Sequence, residues 1–228
     1  MYVNDLVNCR DNGPHSFVIL YADDILILTS SITELQRLFQ ICETELIWLD
    51  MAINISKSCC LRIGPRFDKL SCAILTVNGM PLPWVNELRY LGVYILNSRI
   101  FRCSISHAKR NYHRALNAIV GKIGNVASEE VVLQLVASKC IPILMYGTEV
   151  CGLIKSDLHS LDFPVNRFLM KLFRTANSGA IKDCLHYFWF NLPSVLIVER
   201  KLKFVSAYNA CNNVFCKLFN TDKSRFQL

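Results

Sequence analysis

Asp23 and Asp24 stand side by side between two apolar runs, Phe17 to Tyr21 and Ile25 to Leu28. A two-residue hairpin turn favours Asn-Gly or Asp-Gly because it needs positive φ, and this turn has neither glycine nor asparagine. Turn chemistry therefore leaves the acidic pair unexplained. Two adjacent carboxylates repel by about 1–4 kcal/mol, depending on local dielectric, unless solvent or a cation relieves them. A divalent metal supplies that relief, and Mg²⁺ in particular is held by one or two carboxylates together with substrate phosphates. An inert acidic surface turn is the competing reading.

The flanking runs read as two strands with little polar exposure, a rigid base for the pair. Ser31-Ile32-Thr33-Glu34 supplies a capping box for a following helix. Leu35, Leu38, Phe39, Cys42, Leu46 and Leu49 fall on one face of it, so it should pack across the sheet. The chain then turns through Asn54 to Ser58. Extended segments are expected at Cys59 to Ile63, Ala73 to Val77 and Leu88 to Ile95, with Asn78-Gly79 as the strongest turn signal. From Ser104 onward the pattern is helical. Ala108, Tyr112, Ala115, Leu116, Ile119 and Ile123 form one stripe, and further helices are expected near Ser128 to Tyr146, Ser156 to Arg174 and Ser194 to Cys211. Pro142 and Pro164 are expected to kink two of these. With no repeat or low-complexity tract, the chain reads as α+β over residues 1–97 and helical over residues 98–228.

The 228 residues are 52% hydrophobic, which suits a folded chain with a sizeable core rather than a disordered one. Eleven cysteines are scattered through a chain too long for a disulfide scaffold, with no signal peptide ahead of them, so a reducing intracellular compartment, cytoplasmic or nuclear, is expected. Cys59-Cys60 and the Cys211/Cys216 pair lack a C-x-x-C or H-x-x-x-H companion, which favours buried structural cysteines over zinc. The most apolar stretch, Val131 to Gly147, contains Gln134, Lys139 and Pro142 and reads as a buried helix, with no membrane partner. Charge is uneven: residues 1–100 carry eight Lys/Arg against ten Asp/Glu, the remainder 17 against eight. An acidic front and a basic back suit a metal site joined to a polyanion-binding region. Lys109, Arg110 and Arg114, and separately Arg167, Lys171 and Arg174, recur at helical spacing and could track phosphates; solvated helix faces compete as the explanation.

The string Phe17-Val18-Ile19-Leu20-Tyr21-Ala22-Asp23-Asp24-Ile25-Leu26-Ile27-Leu28 resembles the Y-A-D-D palm motif of reverse transcriptases. Asn54-Ile55-Ser56-Lys57-Ser58 is similar to the next palm motif, N-x-x-K, and Leu88-Arg89-Tyr90-Leu91-Gly92-Val93 to the K/R-Y-L-G hairpin that grips the primer terminus. Tyr2-Val3-Asn4-Asp5-Leu6 resembles the end of the helix before the acidic hairpin. Residues Ser128 to Cys151 and Leu192 to Leu202 resemble the thumb of non-LTR, LINE- or jockey-like retrotransposon polymerases. The resemblance implies a partial palm, an antiparallel sheet plus helix, followed by a helical thumb, with an RNA template and a DNA primer as partners. It implies Asp23 as a ligand of catalytic Mg²⁺, Asp24 as a weaker or supporting ligand, Tyr21 and Ala22 as the floor under the primer end, and Lys57 as proton donor or charge partner to the leaving phosphates. Tyr90, Leu91 and Gly92 become the primer grip.

The family pattern also needs another metal-binding aspartate from an earlier strand, and Asp5 and Asp11 are poor substitutes. The expectation is a fragment of an RNA-directed DNA polymerase, capable of two-metal nucleotidyl transfer only beside the missing fingers and front palm. A non-enzymatic nucleic-acid-binding relic and a group II intron maturase-like fragment are the alternatives.

Overall fold

The computed structural model describes residues 16–69, 71–123, 126–213 and 216–217. It is α+β, and the chain divides into two compact units, Met1–Leu88 with Leu96–Ile100, and Arg89–Ile95 with Phe101–Leu228. The tip of one hairpin, residues 89–95, thus groups with the helical part of the chain.

In the first unit β1 (Phe17–Tyr21) pairs antiparallel with β2 (Asp24–Leu28), and α1 (Ile32–Trp48) lies against them. Val18, Leu38 and Cys42 form the contact, supported by Leu20, Ile25 and Ile27. The other side of α1 buries Phe39 against Cys60, Ile74 and Leu82. Ser31 caps α1 by accepting the Glu34 N–H at 3.2 Å. Only half of the expected capping box forms, because the Glu34 carboxylate turns to Arg37 at 2.8 Å. The hydrogen bond from that guanidinium holds the Glu34 carboxyl below its ordinary value.

Polar side chains of α1 also serve as strand partners. Gln36 both donates to the Leu75 carbonyl and accepts its N–H at 2.7 Å, and buried Glu43 accepts the Val77 N–H at 2.7 Å. They hold β3 (Ile74–Leu75), which pairs with β4 (Pro81–Leu82) around the expected Asn78-Gly79 turn. The extended segment expected at Cys59 to Ile63 is reduced to isolated bridges, Cys60 to Trp84 and Ile63 to Ser98, since its neighbours are irregular chain. Burial pushes the Cys60 thiol up to about 11. The extended segment expected over Leu88 to Ile95 is a hairpin of β5 (Glu87–Tyr90) and β6 (Val93–Leu96), the form its K/R-Y-L-G resemblance implies.

The second unit is built from α2 (Ser106–Ile123), α3 (Glu129–Leu135), a π-helical turn (Val136–Cys140), α4 (Ile141–Leu144), α5 (Lys155–Leu172), α6 (Ser178–Tyr187) and α7 (Pro193–Ala210). Its core gathers Tyr112, Val136, Leu144, Leu161, Val165, Leu169 and Ile197. The expected kink at Pro142 takes the form of the π turn: proline has no N–H to give and crowds the carbonyl four residues back, and the wider turn just before it relieves that crowding. Pro164 instead lies buried inside α5, which continues past it. Helix α6 was not expected; its cap, Asn177 accepting the Gly179 N–H at 2.8 Å, is a legible signal, but Gly179 in the first turn obscures the period.

Among the described residues no helix is long and apolar enough to cross a membrane. No disulfide joins any of the described cysteines.

Candidate nucleic-acid and metal-binding residues

The acidic hairpin is set by its register. Phe17 faces Leu28 and Tyr21 faces Asp24, which leaves Ala22 and Asp23 as the two-residue turn. Ala22 has φ +52° while Asp23 stays out of the positive region, so positive φ falls only on the first turn residue, a place that favours glycine. Asp23 therefore sits in the turn itself and Asp24 opens β2. Both are exposed, as is Tyr21 at 60%. Neither carboxylate has a hydrogen-bond or ion-pair partner among the described residues. Below them the ribbon is fixed to α1 by Val18, Leu20, Ile25 and Ile27.

Two solvated carboxylates on a packed base fit the donor set of Mg²⁺, which takes hard oxygens and leaves several positions to water and phosphates. Among the described residues there is no cluster of three or more His, Cys, Asp or Glu that could hold a metal ion. Asp5, Asp11 and the Tyr2 to Leu6 string lie outside the described residues.

Lys57 lies in the same unit, on the turn after α1. Asn54 organises that turn. Its side-chain oxygen accepts from Ser56 Oγ at 2.6 Å and from the Lys57 N–H at 3.3 Å, while its carbonyl accepts from the backbone N–H groups of Lys57 and Ser58. The Asn of N-x-x-K thus presets the backbone on which the exposed Lys57 side chain stands. Its role as a positioning residue could be read from the spacing, since an Asn side chain readily bonds backbone two or three residues on.

The second hairpin belongs to the other unit. Its turn, Leu91-Gly92, has φ +46° and +82°, both positive, as a type I′ turn requires. Its tip is clasped: the Tyr146 hydroxyl donates to the Leu91 carbonyl at 2.9 Å, and a Cβ built on Gly92 would lie 3.0 Å from the Tyr146 ring. Next to it, a Cβ on Gly147, at φ +70°, would come within 2.6 Å of Val93 Cγ2. The close approach that Gly92 permits is taken by this tyrosine.

Leu91 and Gly92 also line a cleft of about 560 Å³ within the second unit. On its wall Tyr94 stacks on His107, with ring centroids 3.5 Å apart and planes within 2°. The Arg89 guanidinium lies over Tyr94 at 5.9 Å, and Arg110 reaches His107 Nδ1 at 2.9 Å. Arg89 is the basic residue of the K/R-Y-L-G motif and Arg110 stands out by helical spacing, whereas Tyr94, His107 and Tyr146 carry no such signal; the Tyr146–Leu91 contact spans 55 residues.

The remaining basic residues divide. Lys109 donates to Ser160 on α5 at 2.7 Å, so its ammonium is engaged within the unit. Arg114 and Lys171 are exposed. Arg167 lies over the Phe163 ring at 5.8 Å. Arg174 is exposed with φ +52°, just past the end of α5.

Residues 1–95 match the family model for reverse transcriptase (RNA-dependent DNA polymerase), which supports that family for this part of the chain. No curated protein and no solved structure matches the chain.

Proposed function

We infer that this chain is the C-terminal palm and thumb of a reverse transcriptase from a non-LTR, LINE- or jockey-like retrotransposon, with residues 1–97 as palm and 98–228 as thumb. The observation that carries the reading is the pair of carboxylates, Asp23 and Asp24, unpartnered among the described residues, at the tip of a packed hairpin inside the segment that matches the family.

In this reading Asp23 is the principal metal ligand and Asp24 a supporting one. Magnesium, when bound there, supplies activation of the primer hydroxyl and charge neutralisation of the departing pyrophosphate. The exposed Tyr21 ring forms the floor beside the primer end, and Lys57, on its Asn54-held turn, meets the leaving phosphates with positive charge or a proton. Tyr90, Leu91 and Gly92 steady the primer strand. The exposed Arg110, Arg114, Arg167, Lys171 and Arg174 neutralise backbone phosphates, an attraction that weakens as salt rises.

The described residues supply two carboxylates, and two-metal transfer draws on a further one. The chain therefore extends a primer when a fingers and front-palm fragment of a related polymerase is added. In that mixture, with Mg²⁺ and a primed RNA template, Asp23→Asn should lower extension by more than about a hundredfold. No extension by the supplemented wild type would defeat the polymerase reading, and vigorous extension by the chain alone would defeat the incomplete site. The absence of a three-ligand cluster among the described residues favours one second reading, a non-catalytic nucleic-acid binder. It predicts salt-sensitive binding that Asp23→Asn with Asp24→Asn leaves intact, and no extension under either condition.

A further inference from the structure

The C-terminus of α6 is closed by a Schellman motif. Phe190 N–H donates to the Leu185 carbonyl at 2.9 Å and Trp189 N–H to the His186 carbonyl at 3.3 Å, with Phe188 as the cap. The residue between cap and return, here Trp189, must take left-handed backbone, and glycine is the usual occupant because a side chain there costs roughly 1–2 kcal/mol. Trp189 has φ +51°. The same position after α1 holds Asp50 and after α5 holds Arg174, whose polar groups are solvated in exposed positions. The indole of Trp189 is largely apolar and 88% exposed, so burial does not offset the strain.

Trp189 borders an open cavity of about 590 Å³. Tyr187, 76% exposed, stands beside it, and the amides of Gln134 and Asn191 line the same space. Neither amide has a hydrogen-bond partner among the described residues. The His186 ring stacks against Trp189, and the Glu130 carboxylate lines the same space as the two amides.

A flat aromatic face beside edge groups that both donate and accept suits one ligand class in particular. Nucleobases offer a π-face of any sequence and a hydrogen-bonding edge, and proteins read unpaired bases by stacking them on exposed aromatic rings and meeting their edges with polar side chains. We propose that this cavity receives an unpaired base of single-stranded nucleic acid, stacked on Trp189 and met at its edge by Asn191 and Gln134. The inference rests on the reading of the chain as part of a nucleic-acid polymerase, but it uses none of the residues assigned to the metal or the primer.

The test compares the full chain binding a short fluorescent oligodeoxynucleotide with an abasic strand of equal length and charge, by anisotropy. Wild type should prefer the base-bearing strand by about tenfold or more. Trp189→Ala should erase that preference while leaving abasic affinity unchanged, Trp189→Phe should restore most of it, and Asn191→Ala should reduce it a few-fold. Equal affinity of wild type for the two strands, or a preference that survives Trp189→Ala, overturns the proposal. The two readings fail separately: a lost base preference with Mg²⁺-dependent extension intact removes this cavity alone, whereas a Trp189-dependent preference without extension removes the polymerase alone.

Discussion

The two hairpins at the heart of the functional reading share a two-residue turn and differ in what their tips touch. Three of the residues in Ala22-Asp23 and Leu91-Gly92 have positive φ, and two of them, Ala22 and Leu91, are not glycine. The second tip is held by the Tyr146 hydroxyl and pressed by its ring. The first carries its acids into solvent with no partner among the described residues. Strain at the clasped tip is offset by contacts that fix its position. At the acidic tip the strained residue is Ala22, and the acids beside it meet only solvent among the described residues.

The contrast can be broken at three strengths. The largest effect should come from Gly147→Ala, which adds a methyl at φ +70° where Val93 leaves 2.6 Å. Backbone strain and overpacking together predict a loss of about 2–4 kcal/mol in urea unfolding; a loss below about 0.5 kcal/mol would mean the clasp is loose. Next comes Tyr146→Phe, which removes one hydrogen bond to a carbonyl that water can still reach. About 0.5–1.5 kcal/mol is expected from the same unfolding curves, with faster amide exchange confined to the 87–96 hairpin. The smallest effect belongs to the acidic tip: Asp23→Asn with Asp24→Asn should change stability by no more than about 0.5 kcal/mol. A larger loss would assign the pair a structural role and end the comparison, because their proposed work is on a ligand.

How much of this was legible in the sequence follows the range of each interaction. The β1–β2 ribbon and α1 could be read directly, because continuous apolar runs, a capping serine and the stripe Leu38, Phe39, Cys42 and Leu46 are local signals. So could the stripe of α2, where Tyr112 and Leu116 are buried as spaced. Helix α6 escaped because Gly179 interrupts its first turn. Periodicity alone reads Leu88 to Ile95 as extended throughout, since a Leu-Gly turn between apolar residues is a weak break, and the hairpin is legible there only through the K/R-Y-L-G motif. The clasp by Tyr146, the Tyr94–His107 stack and the cavity beside Trp189 join residues from separate elements, and nothing in the neighbourhood of each announces its companion.

The π turn at Val136–Cys140 has a further consequence for the helix that contains it. Val132, Val136, Cys140 and Leu144 are buried at a strict interval of four, a rhythm that would wander roughly 120° around a regular helix over three steps. Shorten the middle step to three and the drift nearly vanishes, so this stretch amounts to an ordinary helix carrying one supernumerary residue. The surplus goes outward, to exposed Ala137, Ser138 and Lys139. Losing any one of those three would leave the inward-facing row in phase.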